Sequence, residues 1–406
     1  MARVAIVEPR SSGWWLIDCA AAMGHEPVII TAGAGARRVP AEHLRHAHHV
    51  ETVDTNADHA VLEAVRRLRA AGTIDAILPG YEYYVPLTAT LADYLGLPGT
   101  SPQAACRLLD KHLMREALAA AGISQPRYAL VRHPAGLARA VNHTGLPCVV
   151  KPVAQCASLH VRKAVTLAAA QAAFREARED DTDLNRPGSP QVLVEEYISG
   201  PEVSVDGFVQ DGETHVLSVT AKVLGPEPYF VEAGHFVPGA LDDRSQEQVV
   251  AYVGRVIGVL GLTMGPIHVE VRLGPRGPML IEAAGRLPGD HIPRLIALTR
   301  GVDLIEIMLR SYLGQRVETS FPAFQACAGI RYFLRPGLRR YREVTVPDDL
   351  RGDRRIAELA VTVPAGVALP SATSSRGRIG YAIAVGQAHH EVAELLQRAD
   401  DMTVFT

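Results

Sequence analysis

Glu270 and Glu282 stand on either side of a short turn, in a segment whose flanks alternate apolar with polar residues from His268 onward. That alternation is the pattern of two strands of a hairpin. Gly274-Pro275-Arg276-Gly277 suits a type I turn, with Pro275 at its first central position and Gly277 in the left-handed position of a three-residue loop. Such a loop pairs Gly274 with Pro278 and sets Glu270 opposite Glu282; a two-residue loop would shift the register and separate them. Like charges directly opposite each other are destabilising, so a cation is expected between them. Magnesium, a hard ion that combines carboxylate with phosphate oxygens, is the obvious candidate.

Other polar residues fall at strand and helix ends in an ordered series. Lys151 closes the apolar run Cys148-Val149-Val150, where a charge needs a partner. Glu195-Glu196 ends the run that starts at Val192, and Ser199-Gly200-Pro201-Glu202 follows. Arg286 lies four residues past Glu282, so its planar fork reaches the same pocket. His268 shares strand parity with Glu270 and faces the same side. Each alone has a blander reading. Lys111 on a helix is usually a solvated lysine, and Glu195-Glu196 can be edge charge. Ser11, Ser12 and Glu82 read first as a capping pair and an exposed loop acid. His48-His49 and His389-His390 have no ligand partners at metal spacing and read as surface histidines.

The elements that must position these residues are legible in outline. Val4–Val7, Pro27–Ile30 and Ile74–Leu78 are strand-like runs separated by helical stretches, giving a small parallel sheet with helices on both faces. Ser101 caps a helix with Pro102 in its first turn, and that helix is expected to run through Lys111 to Gly122. Asp180–Pro190 is a polar loop. Residues 222–240 carry Gly225, Pro226, Pro228, Gly234, Pro238 and Gly239, so a lid-like loop is expected there. A single helix is expected over 292–313, and the last ~90 residues look like a separate α+β module. The domain boundaries implied are 1–103, 104–315 and 316–406.

With 406 residues, 48% hydrophobic and 21% charged, the chain has the composition of a soluble multi-domain protein. A net charge of -3 leaves no basic footprint for nucleic acid. The apolar runs fall short of the ~18 residues of a membrane span, and no secretory pattern opens the chain, so a cytoplasmic location is expected. The five cysteines form no CxxC pair and read as reduced thiols.

Taken together, the series resembles the ATP-grasp superfamily of carboxylate–amine ligases, over roughly residues 1–310. Within it, Pro228–Pro238 and Glu282–Pro293 look most like bacterial L-amino acid ligases, which make dipeptides. The resemblance implies an ATP-grasp fold of α/β and α+β parts, with an N-terminal Rossmann-like domain and a C-terminal α+β module. It implies ATP and two Mg2+ ions as cofactors, with Mn2+ able to substitute. Lys111 and Lys151 would touch the phosphates, Glu195, Glu196 and Ile198 belong to the strand that reads adenine, and Glu202 would hold the ribose. Glu270 and Glu282 match the metal ligands, with Arg286 and His268 as catalytic contacts. Ser158 is the one family-like polar contact in a phosphate loop without glycine, and Ala284 replaces an asparagine that many relatives use on the metal. On the substrate side, Glu82 would hold an ammonium group, while His235, Pro238, Gly289 and Asp290 would shape the pocket.

The expected reaction joins a carboxylate to an amine through an acyl phosphate, with small-molecule partners and a homodimer as the common assembly of such relatives. Two rivals stand beside it. One is carboxylation through carboxyphosphate, disfavoured by the lack of a biotin-carrier segment. The other is a nucleotide-binding protein without turnover, for which the glycine-free loop and Ala284 leave room.

Overall fold

A computed structural model of the chain describes residues 1–179, 181 and 184–406. Asp180, Thr182 and Asp183 of the expected polar loop lie outside the described residues. The apolar N-terminal runs form a four-stranded parallel sheet in the order His49–Thr52, Glu26–Thr31, Arg3–Val7, Ala76–Pro79. Val4 to Val7 are fully buried, which is why this strand reads as a continuous apolar run. At the carboxyl ends of the adjacent strands Arg3–Val7 and Ala76–Pro79, Gly13 and Gly80 make a close approach. A Cβ on Gly13 would lie 2.0 Å from the Gly80 carbonyl oxygen. Glycine therefore lets the helix Ser12–Ala22 start against the next strand end, gathering Ser11, Ser12, Tyr81 and Glu82 at one rim.

A second, antiparallel sheet orders Tyr128–Val131, Val192–Glu196, Cys148–Pro152 and Arg162–Ala164. Val150, Val194 and Phe174 sit in the core beneath it. The largest sheet has eight antiparallel strands, in the order Gly277–Ala284, Gly265–Gly274, Glu202–Gln210, Glu213–Leu224, Glu232–Val237, Cys327–Tyr332, Gly380–Gly386, Ile356–Val361. The C-terminal strands continue the central sheet, through pairing of Cys327–Tyr332 with Glu232–Val237.

Three local expectations are corrected. Residues 222–240 are not one loop: the strands Glu213–Leu224 and Glu232–Val237 flank a short connection, closed by a 2.7 Å bond from Gly225 N–H to the Val231 carbonyl. The breakers cluster at its tip, which docks on the small sheet through Lys163 N–H and the Pro228 carbonyl, 2.9 Å apart. The 292–313 helix is two, Ile292–Arg300 and Leu304–Tyr312, split where Gly301 turns left-handed and Asp303 caps the second. Likewise the helix through Lys111 is interrupted at Asp110, giving Pro102–Leu109 and Lys111–Ala120. Asp110 adopts extended dihedrals and its carboxylate accepts from the His112 and Leu113 N–H groups. Ser101 caps the first helix as expected, accepting from Ala104 N–H at 3.2 Å.

Candidate active site

The three sheets meet at a cleft enclosing about 1540 Å³, its open mouth included. Lys111, Lys151, Ser158, Glu195, Glu196, Ile198, Glu202, His268, Glu270, Glu282, Arg286, Glu82, His235, Gly289 and Asp290 all line it. Pro238 does not. It lies just past the strand Glu232–Val237, at opposite parity to His235, so it follows the other face.

Glu270 pairs with Glu282 across the hairpin, as expected, but by another route. Gly274 pairs with Gly277, so the loop has two residues, Pro275 and Arg276. That register alone would separate the carboxylates. A β-bulge restores them: Val271 pairs with Leu280, and the extra residue Ile281 lets Glu270 meet Glu282. The bulged carbonyl also has work to do. Ile281 accepts from Lys151 Nζ at 3.2 Å and from Arg115 at 3.1 Å.

The charges around this pair are organised in two clusters. In the first, Glu195 accepts two bonds from Arg115, at 2.7 and 3.2 Å, and pairs with Lys151 Nζ at 2.7 Å. Burial pushes the Glu195 carboxyl up, but Arg115 and Lys151 outweigh it and hold it down at about 2. The carboxylate is consumed by these partners, so only the Glu195 backbone remains for a ligand. Glu196 points to the rim, held by Arg127 and Arg276.

In the second cluster, Lys222 Nζ reaches Glu270 at 2.6 Å, Glu232 at 3.0 Å and Glu202 at 3.1 Å. Burial favours its neutral form, yet Glu232, Glu270 and Glu202 raise its pKa well above the usual lysine value. Lys222 is hard to see in the sequence because it opens the breaker-rich stretch 222–240. Its alternation with Ser218 and Thr220 on a buried strand face was the available signal. His268 bridges Asp206 through Nδ1, 2.6 Å, and Glu270 through Nε2, 3.3 Å. Burial lowers its pKa, but Asp206 and then Glu270 bring it up to about 9, so the ring is an imidazolium. Both nitrogens being taken, His268 acts on Glu270 rather than reaching outward.

The two hairpin carboxylates consequently differ. Glu270, facing Lys222 and His268, is held well below the carboxylate range despite burial. Glu282 has Lys111 Nζ at 2.9 Å, but burial and the nearby Glu82 and Glu270 charges raise it above the ordinary value. Lys111 opens its helix and is steadied by the Gln155 carbonyl, 2.8 Å from Nζ.

Opposite, Arg286 donates to Glu82 at 2.6 and 3.0 Å and to the Leu287 carbonyl at 2.8 Å. Glu82 is thus the partner that orients Arg286. Asp290 accepts two bonds from Arg378, at 2.6 and 2.8 Å, and His235 Nε2 lies 2.9 Å from it. Arg378, another residue missed in the sequence, comes from the C-terminal region and also reaches Glu232 at 2.9 Å. Beside the end of the strand Val192–Glu196, Tyr197 stacks on Phe230, and Arg272 lies over both rings while binding Glu202 at 2.7 Å. The glycine-free loop 152–160, the expected phosphate loop, achieves its turn by placing Ala157, Ser158 and His160 in the left-handed region, at φ 59°, 53° and 59°.

Residues 17–99 match the ATP-grasp N-terminal domain family, 144–294 the ATP-grasp domain and 332–406 the L-amino acid ligase C-terminal domain 2. Protein y4rH of Sinorhizobium fredii is 27% identical over 98% of this chain and 81% of its own length. Alanine–anticapsin ligase of Bacillus subtilis is 26% identical over 62% of this chain, and dapdiamide A synthase of Enterobacter agglomerans 29% over 59%. The chain spans 57% of the length of each of these two relatives. An L-amino acid ligase from Bacillus licheniformis superposes with a TM-score of 0.86 over 100% of this chain and 98% of the other, at 19% identity, a likeness of fold. The chain thus carries an ATP-grasp N-terminal domain, an ATP-grasp domain and a C-terminal domain of the L-amino acid ligase kind.

Proposed function

We propose that the protein is an ATP-dependent ligase that joins the carboxylate of one amino acid to the amine of another. The substrate carboxylate attacks the γ-phosphate of ATP, giving an acyl phosphate and ADP. The amine then displaces phosphate and the amide forms. The observation that carries this reading is the placement of Lys111, Lys151, the Glu270–Glu282 pair and Arg286 around one cleft.

The difficulty of the reaction is to bring one anion onto another, and fixed cations supply the remedy. Lys111 and Lys151 receive the phosphates, the latter held in place by Glu195. Tyr197 and Phe230 flank the adenine end, where the backbone from Glu195 to Ile198 reads the base. Glu202 keeps acceptor capacity for ribose hydroxyls beyond its bonds to Arg272 and Lys222. Arg286, aimed by Glu82, presents its fork to the transferring phosphoryl group or acyl phosphate.

Glu270 and Glu282 fit magnesium by donor chemistry: both are hard oxygen ligands, and Glu282 carries an excess of neighbouring negative charge that a divalent ion relieves. Ala284 offers no third oxygen, so these two acids would hold the ions. When bound, Mg2+, or Mn2+ in its place, supplies charge neutralisation at the phosphate oxygens. His268 and Lys222 keep Glu270 ionised for that role. The polar wall of Asp290, His235 and Glu232, held from behind by Arg378, faces the substrate end with Gly289, and Ser158 stays with the phosphates.

The test is a phosphate-release assay with ATP, Mg2+ and pooled amino acids. Release that requires both a carboxylate and an amine supports the ligase; ATP binding with no release under any pair refutes it.

A further inference from the structure

Five lysine or arginine side chains line the cleft: Arg10, Lys111, Lys151, Arg272 and Arg286. Four are matched by a carboxylate, Lys111 with Glu282 at 2.9 Å, Lys151 with Glu195 at 2.7 Å, Arg272 with Glu202 at 2.7 Å and Arg286 with Glu82 at 2.6 Å. Arg10 is the exception among the described residues. Its guanidinium rests 5.2 Å over the Tyr81 ring, and a buried NH1 group has no hydrogen-bond partner. In a site where every other cation has its counter-ion built in, an unpaired arginine fork is a vacancy for a ligand oxyanion.

We infer that Arg10 holds the carboxylate of the amine-donating substrate, an inference that rests on the ligase reading above. An amino acid that attacks through its amine keeps its own carboxylate, and that anion must be neutralised inside the cleft. Arg10 follows the strand Arg3–Val7 at the carboxyl end of the parallel sheet, where such sheets bind ligands. Its neighbours abut the loop just past Arg286. Ser12 Oγ donates to the Pro288 carbonyl at 2.6 Å, and a Cβ on Gly289 would stand 3.8 Å from Ser11 Oγ. Arg10 is therefore on the substrate wall with Arg286 and Glu82, whereas Lys111 and Lys151 belong to the nucleotide-facing elements. Its platform is fixed as well: the Tyr81 hydroxyl lies 3.1 Å from Cys156 Sγ, in the phosphate loop. A planar fork on a fixed ring can take a carboxylate with two parallel bonds.

The experiment compares Arg10→Ala and Arg10→Lys with the wild type, using the acceptor amino acid that turns over fastest in the pooled screen and its carboxamide (L-alanine and L-alaninamide, if L-alanine is that acceptor). Arg10→Ala should raise KM for the free amino acid about 10–100-fold, the loss expected for a charged hydrogen-bonded contact. KM for the carboxamide, KM for ATP and kcat at saturating acceptor should stay within about threefold. Arg10→Lys should recover part of the loss, since charge returns without the fork. Equal loss with the acid and the carboxamide, a rise in KM for ATP or for the activated carboxylate instead, or no change at all would each overturn the assignment. A wild-type protein that forms ADP with no pair of amino acids breaks the ligase reading itself, and this assignment with it.

Discussion

Two carboxylate clusters in the same cleft are built on opposite principles. Around Glu195, one acid faces two cations, and its carboxyl is pulled down to about 2 although it is buried. Around Glu282, Lys111 is the one direct cation, while Glu82 and Glu270, whose own cations are Arg286 and the Lys222–His268 pair, still add negative charge, and the Glu282 carboxyl is raised. The first arrangement is electrostatically complete and can serve as scaffold. The second leaves Glu282 itself short of positive charge, which suits the divalent ion and phosphates proposed for it. Glu270 sits between the two regimes, because His268 and Lys222 supply it with cations of its own.

The sharpest way to break this contrast is to remove one acid from each cluster. Glu282→Gln should cut ADP formation by about 10²–10³-fold, the scale for losing one fixed charge-stabilising contact. Its folding stability should hold or rise, since a crowded carboxylate is gone. Glu195→Ala should do the reverse in emphasis, costing about 3–5 kcal/mol by leaving Arg115 and Lys151 buried without their acid. Urea midpoints and ADP release on both variants decide the matter. Equal stability losses would show that the two clusters are alike.

The titration behaviour sharpens the same comparison. Glu195 is depressed in the folded state, so its contribution is fully present above the ordinary value of 4.5 and is lost as pH falls toward about 2. His268 is raised, so its contribution is present below 6.5 and is lost as pH rises toward about 9. Stability measured from pH 6 to 9.5 should therefore decline by roughly 3 kcal/mol or less on the alkaline side. His268→Gln should flatten that limb while leaving the acid limb of Glu195 in place. An unaltered alkaline limb would mean that His268 is neutral.

Much of this was legible in the sequence, and the failures share a cause. The parallel sheet, Ser101 as cap, the opposition of Glu270 to Glu282 and the gathering of fifteen of the sixteen candidate residues at one cleft followed from local patterns and ordered spacing. The hairpin loop was misjudged because Gly277 fits either loop length, and the compensating bulge at Ile281 depends on Lys151 and Arg115 arriving from distant elements. Lys222 and Arg378 were overlooked for a similar reason. Their importance lies in partners 10 to 146 residues away, at Glu202, Glu232 and Glu270 for one, and at Glu232 and Asp290 for the other. Breakers at 225–239 hid two strands, because sheet pairing with neighbours on both sides overrode weak local propensity.

The phosphate loop offers the smallest and most local test. It covers the cation-poor cluster, since Lys111 N–H bonds the Val153 carbonyl at 2.9 Å and Lys111 Nζ the Gln155 carbonyl at 2.8 Å. Ala157 holds a left-handed φ of 59°, a conformation that costs an L-residue about 1–2 kcal/mol. Glycine removes that cost but gives back about 0.4–1 kcal/mol through a freer unfolded chain. Ala157→Gly should therefore stabilise the protein by between zero and about 1.6 kcal/mol, while a looser loop raises KM for ATP a few-fold with kcat little changed. The opposite result, a clear loss of stability with unchanged KM for ATP, would mean that the Ala157 methyl packs rather than strains and that the loop is rigid for reasons other than its backbone.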